Sequence, residues 1–405
     1  MNDRVILHCD CNSFFASVES VMNPEYKKVP MAVCGSQDDR HGIVLAKNEL
    51  AKRYGIVTAE TIVSAKKKCP DLVIAPPHHS LYTEFSAKAN QIYSRYTDMI
   101  EPFGIDESWL DVTASCKLFG SGYEIAQKIS NDIKSELGIT VSVGVSFNKV
   151  FAKLGSDYKK PDAITVITKE NFKKLLYPLP VSAMLFVGKR TEDILLSLGV
   201  KTLGELSEVS LQMLSMKLGK MGEMLYKYVH GEDDSEVCSR SDDNKTISNG
   251  FTFRHDLCGV DEWRAGIDFL SEELGSKLRA NGMKCCTVQL TLKDEFLNTI
   301  QRQHPQIPPS DIAAEISSTA LDILREEWSP TKPIRMITVT AANLIKNEQI
   351  TPQLSFFEAE DASSTREKRK ETEIVIDKIR KKYGNSSIIK GDIINSDLGV
   401  YNKKG

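Results

Sequence analysis

The sequence predicts a mixed α/β fold (α+β) with a ferredoxin-like β-α-β core, a helical segment after it, and a second α/β unit. Three observations carry the core. Val5 to Cys9 is a short apolar run, and residues 105–113 (IDESWLDVT) are strand-like as well. Ser121-Gly-Tyr-Glu124 has capping-box spacing, and Ile125, Ile129, Ile133 and Leu137 then recur every four residues, one helix face stopped by Gly138. Ile139, Val141, Val143, Val145 and Phe147 alternate with small or polar residues, which marks a strand. Strand, helix and strand in that order make a ferredoxin-like or palm-like core.

The other elements follow along the chain. Residues 20–79 interrupt the core with a small, basic, partly helical insertion. Pro178 and Pro180 bracket the next boundary, and short helices with Gly188, Gly199, Gly204, Gly219 and Gly222 at their turns run to about 234. Residues 232–245 (EDDSEVCSRSDDNK) are polar and linker-like. A strand near 247–253, a helix near 261–280, strands near 286–302, a helix near 310–328 and a strand near 334–342 form the second unit. The stretch 346–371 is polar and reads as flexible. Ile376, Ile379 and Tyr383 then give a last amphipathic helix, ended by Gly384. No internal repeat of solenoid or propeller period is present.

A chain of 405 residues with 41% hydrophobic and 26% charged residues is that of a globular protein of several domains. No apolar run approaches the roughly 18 residues of a membrane span, and the N-terminus opens on a strand rather than a signal segment, so no membrane partner and a cytoplasmic location are expected. The 9 cysteines are odd in number and lack C-x-x-C spacing, which argues for reduced thiols rather than disulfides or a zinc site. A net charge of −3 gives no global sign of nucleic-acid binding. Basic residues do cluster locally, at Lys66, Lys67 and Lys68 and at Lys149, Lys153, Lys159 and Lys160.

Asp10 ends the first strand and Asp106-Glu107 begins the second. Neighbouring strands bring such carboxylates together, where they repel unless a cation joins them, and Mg²⁺ favours a few carboxylates plus substrate phosphates. Two such ions activate an attacking hydroxyl and stabilise the leaving oxygen in phosphoryl transfer. Spacing alone favours three ordinary surface acids. Trp109 and Trp263 read as core, and His8, on a buried strand, reads as a satisfied core histidine rather than a ligand.

HCDCNSFFASVE at 8–19 and GIDESWLDV at 104–112 resemble the two signature motifs of Y-family DNA polymerases, and VGVSFNKVFAKLGSDYKKP at 143–161 resembles a third. The resemblance implies a palm at 1–19 and 80–168, fingers at 20–79, a thumb at 169–234, a linker at 235–245, a little finger at 246–345 and a tail at 346–405. It implies Asp106 and Glu107 as catalytic carboxylates and Asp10, Asp106, Glu107 and the Cys11 carbonyl as ligands of two Mg²⁺ ions. Phe15 matches the aromatic that packs on the incoming sugar, with Phe14 beside it, one of the two facing inward. Lys160 matches a lysine that contacts the triphosphate.

Four departures stand out. Ala46, Glu49 and Lys52 replace the T-x-x-Y-x-x-R run of the DinB-like branch, and AKNELAK at 46–52 is more similar to the UmuC branch, with a basic residue at Lys47. Gly104 replaces a serine, Asn12 an aspartate, and Phe186 the first glycine of the thumb's hairpin motif. Glu49 is expected to turn away from the triphosphate, leaving the positive charge to Lys52, Lys160 and Lys47. In the tail, Gln353, Leu354, Phe356 and Phe357 resemble the peptide with which bacterial polymerases bind the sliding clamp: a glutamine fixes register and apolar anchors fill a pocket.

The implied function is low-fidelity, template-directed translesion synthesis in DNA repair and the SOS response. Its partners are primer-template DNA, dNTP and the clamp, with a recombinase filament or accessory proteins as UmuC-like additions. Two rivals remain. A nucleotidyl cyclase shares the core but has no need of the later domains. A catalytically silent DNA- and clamp-binding scaffold has no need of the three carboxylates.

Overall fold

A computed structural model of the chain describes residues 4–35, 42–239, 245–329, 331–347, 360–391 and 398–399, and over 360–365 the backbone alone. The described residues fall into two compact units, one within 4–239 and one within 245–399.

The first unit opens on β1 (Ile6–Cys11), buried throughout, and α1 (Phe14–Met22). The insertion contributes β2 (Met31–Cys34), β3 (Val44–Lys47), the single turn α2 (Glu49–Lys52), α3 (Ile62–Lys68) and β4 (Val73–Ala75). Then come α4 (His79–Tyr93), β5 (Ile100–Pro102), β6 (Glu107–Asp111), α5 (Cys116–Phe119), α6 (Gly122–Asp132), β7 (Val141–Ser146), α7 (Lys149–Tyr158) and β8 (Ile164–Val166). One sheet has the order β5-β6-β1-β7-β8. Strand β1 is antiparallel to both β6 and β7, so β6, α6 and β7 form a β-α-β unit with β1 inserted between its strands. The expected capping box is present at Ser121 and Glu124. Past Asp132 the helix widens into a π turn, and Gly138, at φ 67°, ends it.

Alternation along the strands gives the sheet two different faces. Leu7, Cys9, Leu110, Val141 and Val143 pack on α4 and α6 through Tyr82, Tyr93, Ile125 and Ile129. The opposite face carries His8 and Asp10 and lies under α7. That helix sits close because Gly144 has no side chain: a Cβ there would stand 1.9 Å from the Ala152 carbonyl and 2.5 Å from the Ser156 nitrogen. Asn148 caps the helix by accepting from the Phe151 N–H at 2.8 Å.

The insertion differs from expectation. It holds a three-stranded sheet, β3-β2-β4, over a small core that includes Cys34, Val44, Ala51 and Ile62. Strands of three or four residues are too short to show a period. The segment is helical as expected, except that Gly204 and Gly222 lie inside helices rather than at turns: α8 (Phe172–Leu176), α9 (Lys189–Ser197), α10 (Leu203–Ser207), α11 (Leu211–Leu218) and α12 (Lys220–Val229) surround Leu195, Leu206, Leu214 and Leu225. The polar stretch that follows is not a free linker where it is described. Val237 is fully buried against Ile6 and Trp109, and the Cys238 N–H donates to Glu101 Oε2 at 3.0 Å.

The second unit comprises β9 (Thr246–Leu257), α13 (Val260–Ala280), β10 (Met283–Lys293), β11 (Thr299–Ser310), α14 (Ala313–Glu327), β12 (Ile334–Lys346) and α15 (Glu360–Tyr383). Its sheet is antiparallel in the order β11-β10-β12-β9. Pro305, Pro308 and Pro309 are accommodated because β11 is an edge strand. Helix α15 corrects the expectation of a flexible 346–371, since 360–371 is helical. Its charges find partners: Arg279 with Asp377 at 2.7 Å, Arg366 with Glu315 at 2.8 Å, and Arg380 with Glu272 at 2.9 Å. Among the described residues no helix is long and apolar enough to cross a membrane.

Candidate active site

In the β1–β6 ladder Asp10 stands directly opposite Glu107, so both side chains rise from the same sheet face. Asp106 is tied to the end of β1, its carbonyl accepting the Cys11 N–H at 3.0 Å. Asp10 and Glu107 are gathered at the α7 side of the sheet, and Asp106 lies near enough for their charges to act on it. Burial, together with the charges of Asp10 and Glu107, pushes the Asp106 carboxyl up to about 6. Gly104 enters this turn at φ 86°, a backbone suited to glycine rather than the family's serine.

Helix α7 supplies one ammonium group, Lys153, and the chain just past its end a second, Lys160. Lys153 lies 2.9 Å from Glu107 Oε2 and 3.2 Å from Asp10 Oδ2. Lys160 lies 2.6 Å from the same Asp10 oxygen. Both also reach Asp157, at 3.2 and 2.7 Å. Lys153 stood out in the sequence only as one of a basic cluster, and Asp157 was not singled out. The available signal was helical spacing: 153, 156, 157 and 160 share one face of the segment 149–160.

His8 is a buried core histidine, with Nδ1 2.8 Å from Ser156 Oγ, and burial with nearby Lys153 pushes it down to about 3, so it is neutral. It is also closer to the site than expected, since Nε2 is 3.3 Å from Glu107 Oε2 and clusters with Asp10 and Glu107. The Cys11 thiol belongs to the opposite, apolar face, with Tyr93 Oη at 3.8 Å. Only its backbone is available to the carboxylate side. Asn12 accepts from Ser142 Oγ at 2.8 Å and donates to Thr140 Oγ1 at 3.1 Å, binding β1 to β7.

The structure separates the two phenylalanines. Phe14 is buried in the core, while Phe15 is half-buried and stacks on Tyr82 at 4.1 Å and 12°. The Tyr82 hydroxyl donates to the buried Glu19 carboxylate at 2.5 Å, and His78 Nδ1 is 2.8 Å from the same oxygen. Phe15 therefore rests on a ring with little freedom. Tyr82 and Glu19 were missed in the sequence because neither carries a recognisable pattern by itself.

The fingers residues are placed less simply. Lys47 donates to Thr58 Oγ1 at 2.8 Å, and burial together with Lys52 lowers its pKa. Lys52 is paired with Glu49 at 2.5 Å, and Glu49 also accepts from Ser13 Oγ at 3.2 Å. Glu49 thus reaches back to the β1–α1 turn and holds Lys52. We expect Lys52→Ala to raise KM for the incoming nucleotide several-fold, by loss of a cation near its phosphates. Glu49→Ala, which frees that cation, should not raise it. Steady-state kinetics of single-nucleotide insertion check this, and a large loss in Glu49→Ala beside a normal Lys52→Ala reverses the assignment.

At Phe186 the backbone keeps a φ of 68°, and the ring is exposed. The turn therefore persists despite the loss of glycine, at a cost of about 1 kcal/mol. The peptide 353–357, with Gln353, Leu354, Phe356 and Phe357, lies outside the described residues.

The sequence matches three family models: the impB/mucB/samB family over residues 9–157, the C-terminal domain of that family over 244–356, and the thumb domain of DNA polymerase-iota over 186–233. It is 45% identical to a DNA polymerase IV of Acetivibrio thermocellus, over 98% of this chain and 99% of that one. A DNA polymerase IV of Clostridium kluyveri is 36% identical, over 96% of this chain and 98% of that one. Among solved structures, a Y-family DNA polymerase chimera, Dbh-Dpo4(243-245)-Dbh, is similar with a TM-score of 0.76 and 25% identity, over 85% of this chain and all of that one. The two curated relatives are both called DNA polymerase IV, so the UmuC-like placement gains nothing from their names.

Proposed function

The chain belongs to the impB/mucB/samB family of Y-family DNA polymerases, and from this we propose that Asp10, Asp106 and Glu107 are the centre at which it extends a primer. It is a template-directed DNA polymerase of low fidelity that performs translesion synthesis on primer-template DNA from dNTPs, and it depends on metal. The observation that carries the site is the register pair Asp10–Glu107 with Asp106 beside it. The donors fit the metal implied: they are hard carboxylate oxygens, the set that Mg²⁺ prefers. In our reading Asp10, Asp106, Glu107 and the Cys11 carbonyl hold two Mg²⁺ ions. When bound, the ions make the primer hydroxyl a better nucleophile and offset charge on the leaving phosphate.

The other residues act by position. Phe15, backed by Tyr82, presents a flat apolar wall to the sugar. Lys160 and Lys52 supply positive charge for the triphosphate, with Lys47 behind them. We assign 1–19 and 80–168 to the palm, 20–79 to the fingers, 169–234 to the thumb, 235–245 to the linker, 246–345 to the little finger and 346–405 to the tail. Fingers this small leave a roomy site, which trades accuracy for tolerance of damaged templates. We place the enzyme in the cytoplasm.

Primer extension with the purified chain, on undamaged and lesion-bearing templates, tests the reading. A silent scaffold gives no product, and a cyclase gives a cyclic nucleotide without a primer. In the tail, Gln353, Leu354, Phe356 and Phe357 are assigned to the sliding clamp. Their joint replacement by alanine should leave distributive extension unchanged and remove stimulation by a loaded clamp. Equal stimulation of variant and wild type refutes that assignment.

A further inference from the structure

The oxygens assigned above to the metal are already claimed by Lys153. Asp10 Oδ2 receives Lys160 at 2.6 Å and Lys153 at 3.2 Å, and Glu107 Oε2 faces Lys153 at 2.9 Å and His8 Nε2 at 3.3 Å. A carboxylate oxygen offers about two lone-pair sites. Two donors on Asp10 Oδ2 therefore leave that oxygen no free direction. A cation that uses these oxygens displaces an ammonium group, and that ammonium is mostly buried, its side chain only 14% exposed. It needs another anion within reach. Asp157 is that anion. It lies one turn along α7 with Oδ2 3.2 Å from Lys153, and it is half-exposed, outside the Asp10–Glu107 ladder.

We propose that Lys153 is a positioning residue that competes with the metal for Asp10 and Glu107, and that Asp157 receives its ammonium group when a cation takes those oxygens. The exchange keeps the buried carboxylates compensated at every stage. It also sets metal affinity below what the carboxylates alone would reach. The inference rests on the reading of Asp10 and Glu107 as metal ligands. The competing explanation is that Lys153 and Asp157 are a fixed ion pair that only braces α7. That explanation allows both substitutions to lower stability, but it gives no reason for opposite effects on metal affinity.

The test is equilibrium binding of Mn²⁺ alone to the full chain at pH 8, read from the electron paramagnetic resonance of free Mn²⁺, with melting temperature measured alongside. Lys153→Met should bind Mn²⁺ on the order of tenfold more tightly, because a unit positive charge has left the site. Its melting temperature should fall without metal and rise on adding Mn²⁺ by more than in wild type. Asp157→Asn should bind several-fold more weakly, since the ammonium has lost its other partner. Lys153→Arg, which keeps the charge, should stay near wild type. Unchanged or weaker binding by Lys153→Met, or unchanged or tighter binding by Asp157→Asn, overturns the proposal. Asp10→Asn separates the two levels. If it leaves Mn²⁺ binding intact, the ligand reading itself fails. If it loses binding while Lys153→Met is unchanged, only the competition fails.

Discussion

Asp106→Asn and Glu107→Gln should each lower primer extension by at least about a thousandfold, the scale expected when charge stabilisation at a reacting phosphate is lost. Primer-template affinity should be largely retained, because DNA is held mainly by contacts to its backbone. Each substitution keeps the size of the side chain and removes one negative charge. Asp106 is the more informative of the two. It makes no ion pair with Lys153 or Lys160 among the described contacts, and its carboxyl is raised to about 6 by burial and its acidic neighbours. The direction has a consequence in pH. A raised carboxyl is protonated below about pH 6, and a protonated Asp106 is a poor ligand, so activity should fall as pH drops through that region. Metal and proton then compete, and more Mg²⁺ should shift the acid limb to lower pH. Rapid-quench insertion and a DNA-binding titration measure the two quantities. Near-normal turnover in either variant would remove that residue from the metal site.

Phe15→Ala should raise ribonucleotide incorporation relative to deoxynucleotide on the order of a hundredfold. The ring is the less buried member of the Phe14–Phe15 pair, and its position is set by stacking on Tyr82. Tyr82 is in turn held by Glu19 and His79, the imidazole of His79 standing edge-on to the Tyr82 ring at 5.7 Å. A wall that cannot retreat discriminates by steric exclusion: a 2′-hydroxyl in the occupied volume displaces the sugar from its reactive position. Deoxynucleotide insertion should change far less than the ratio. Competition between dNTP and rNTP on one template measures the ratio directly. An unchanged ratio would mean that the sugar does not meet Phe15.

Much of this protein was legible along the chain, because its decisive signals are local. The capping box at Ser121, the face Ile125–Ile129–Ile133, the stop at Gly138 and the alternation that follows each depend on residues a few places apart. The signature segments around Asp10 and Asp106 marked the family for the same reason. What failed was local as well. The short strands β2, β3 and β4 carry no period. The charged segment 360–371 read as flexible because its partners lie far away in sequence, as Arg366–Glu315 and Lys370–Asp311 illustrate.

The order of the main elements and the family were legible along the chain, and three carboxylates were nominated there. Packing settled which groups surround them. Antiparallel register sets Asp10 against Glu107, and a glycine at 144 lets α7 come close enough for Lys153 and Lys160 to reach them. The same packing turns Phe14 inward and lays Phe15 on Tyr82. The physical reason is common to all of these. Charge compensation and ring stacking act through space over a few ångströms, between residues that lie up to 150 positions apart in the chain, as Asp10 and Lys160 do.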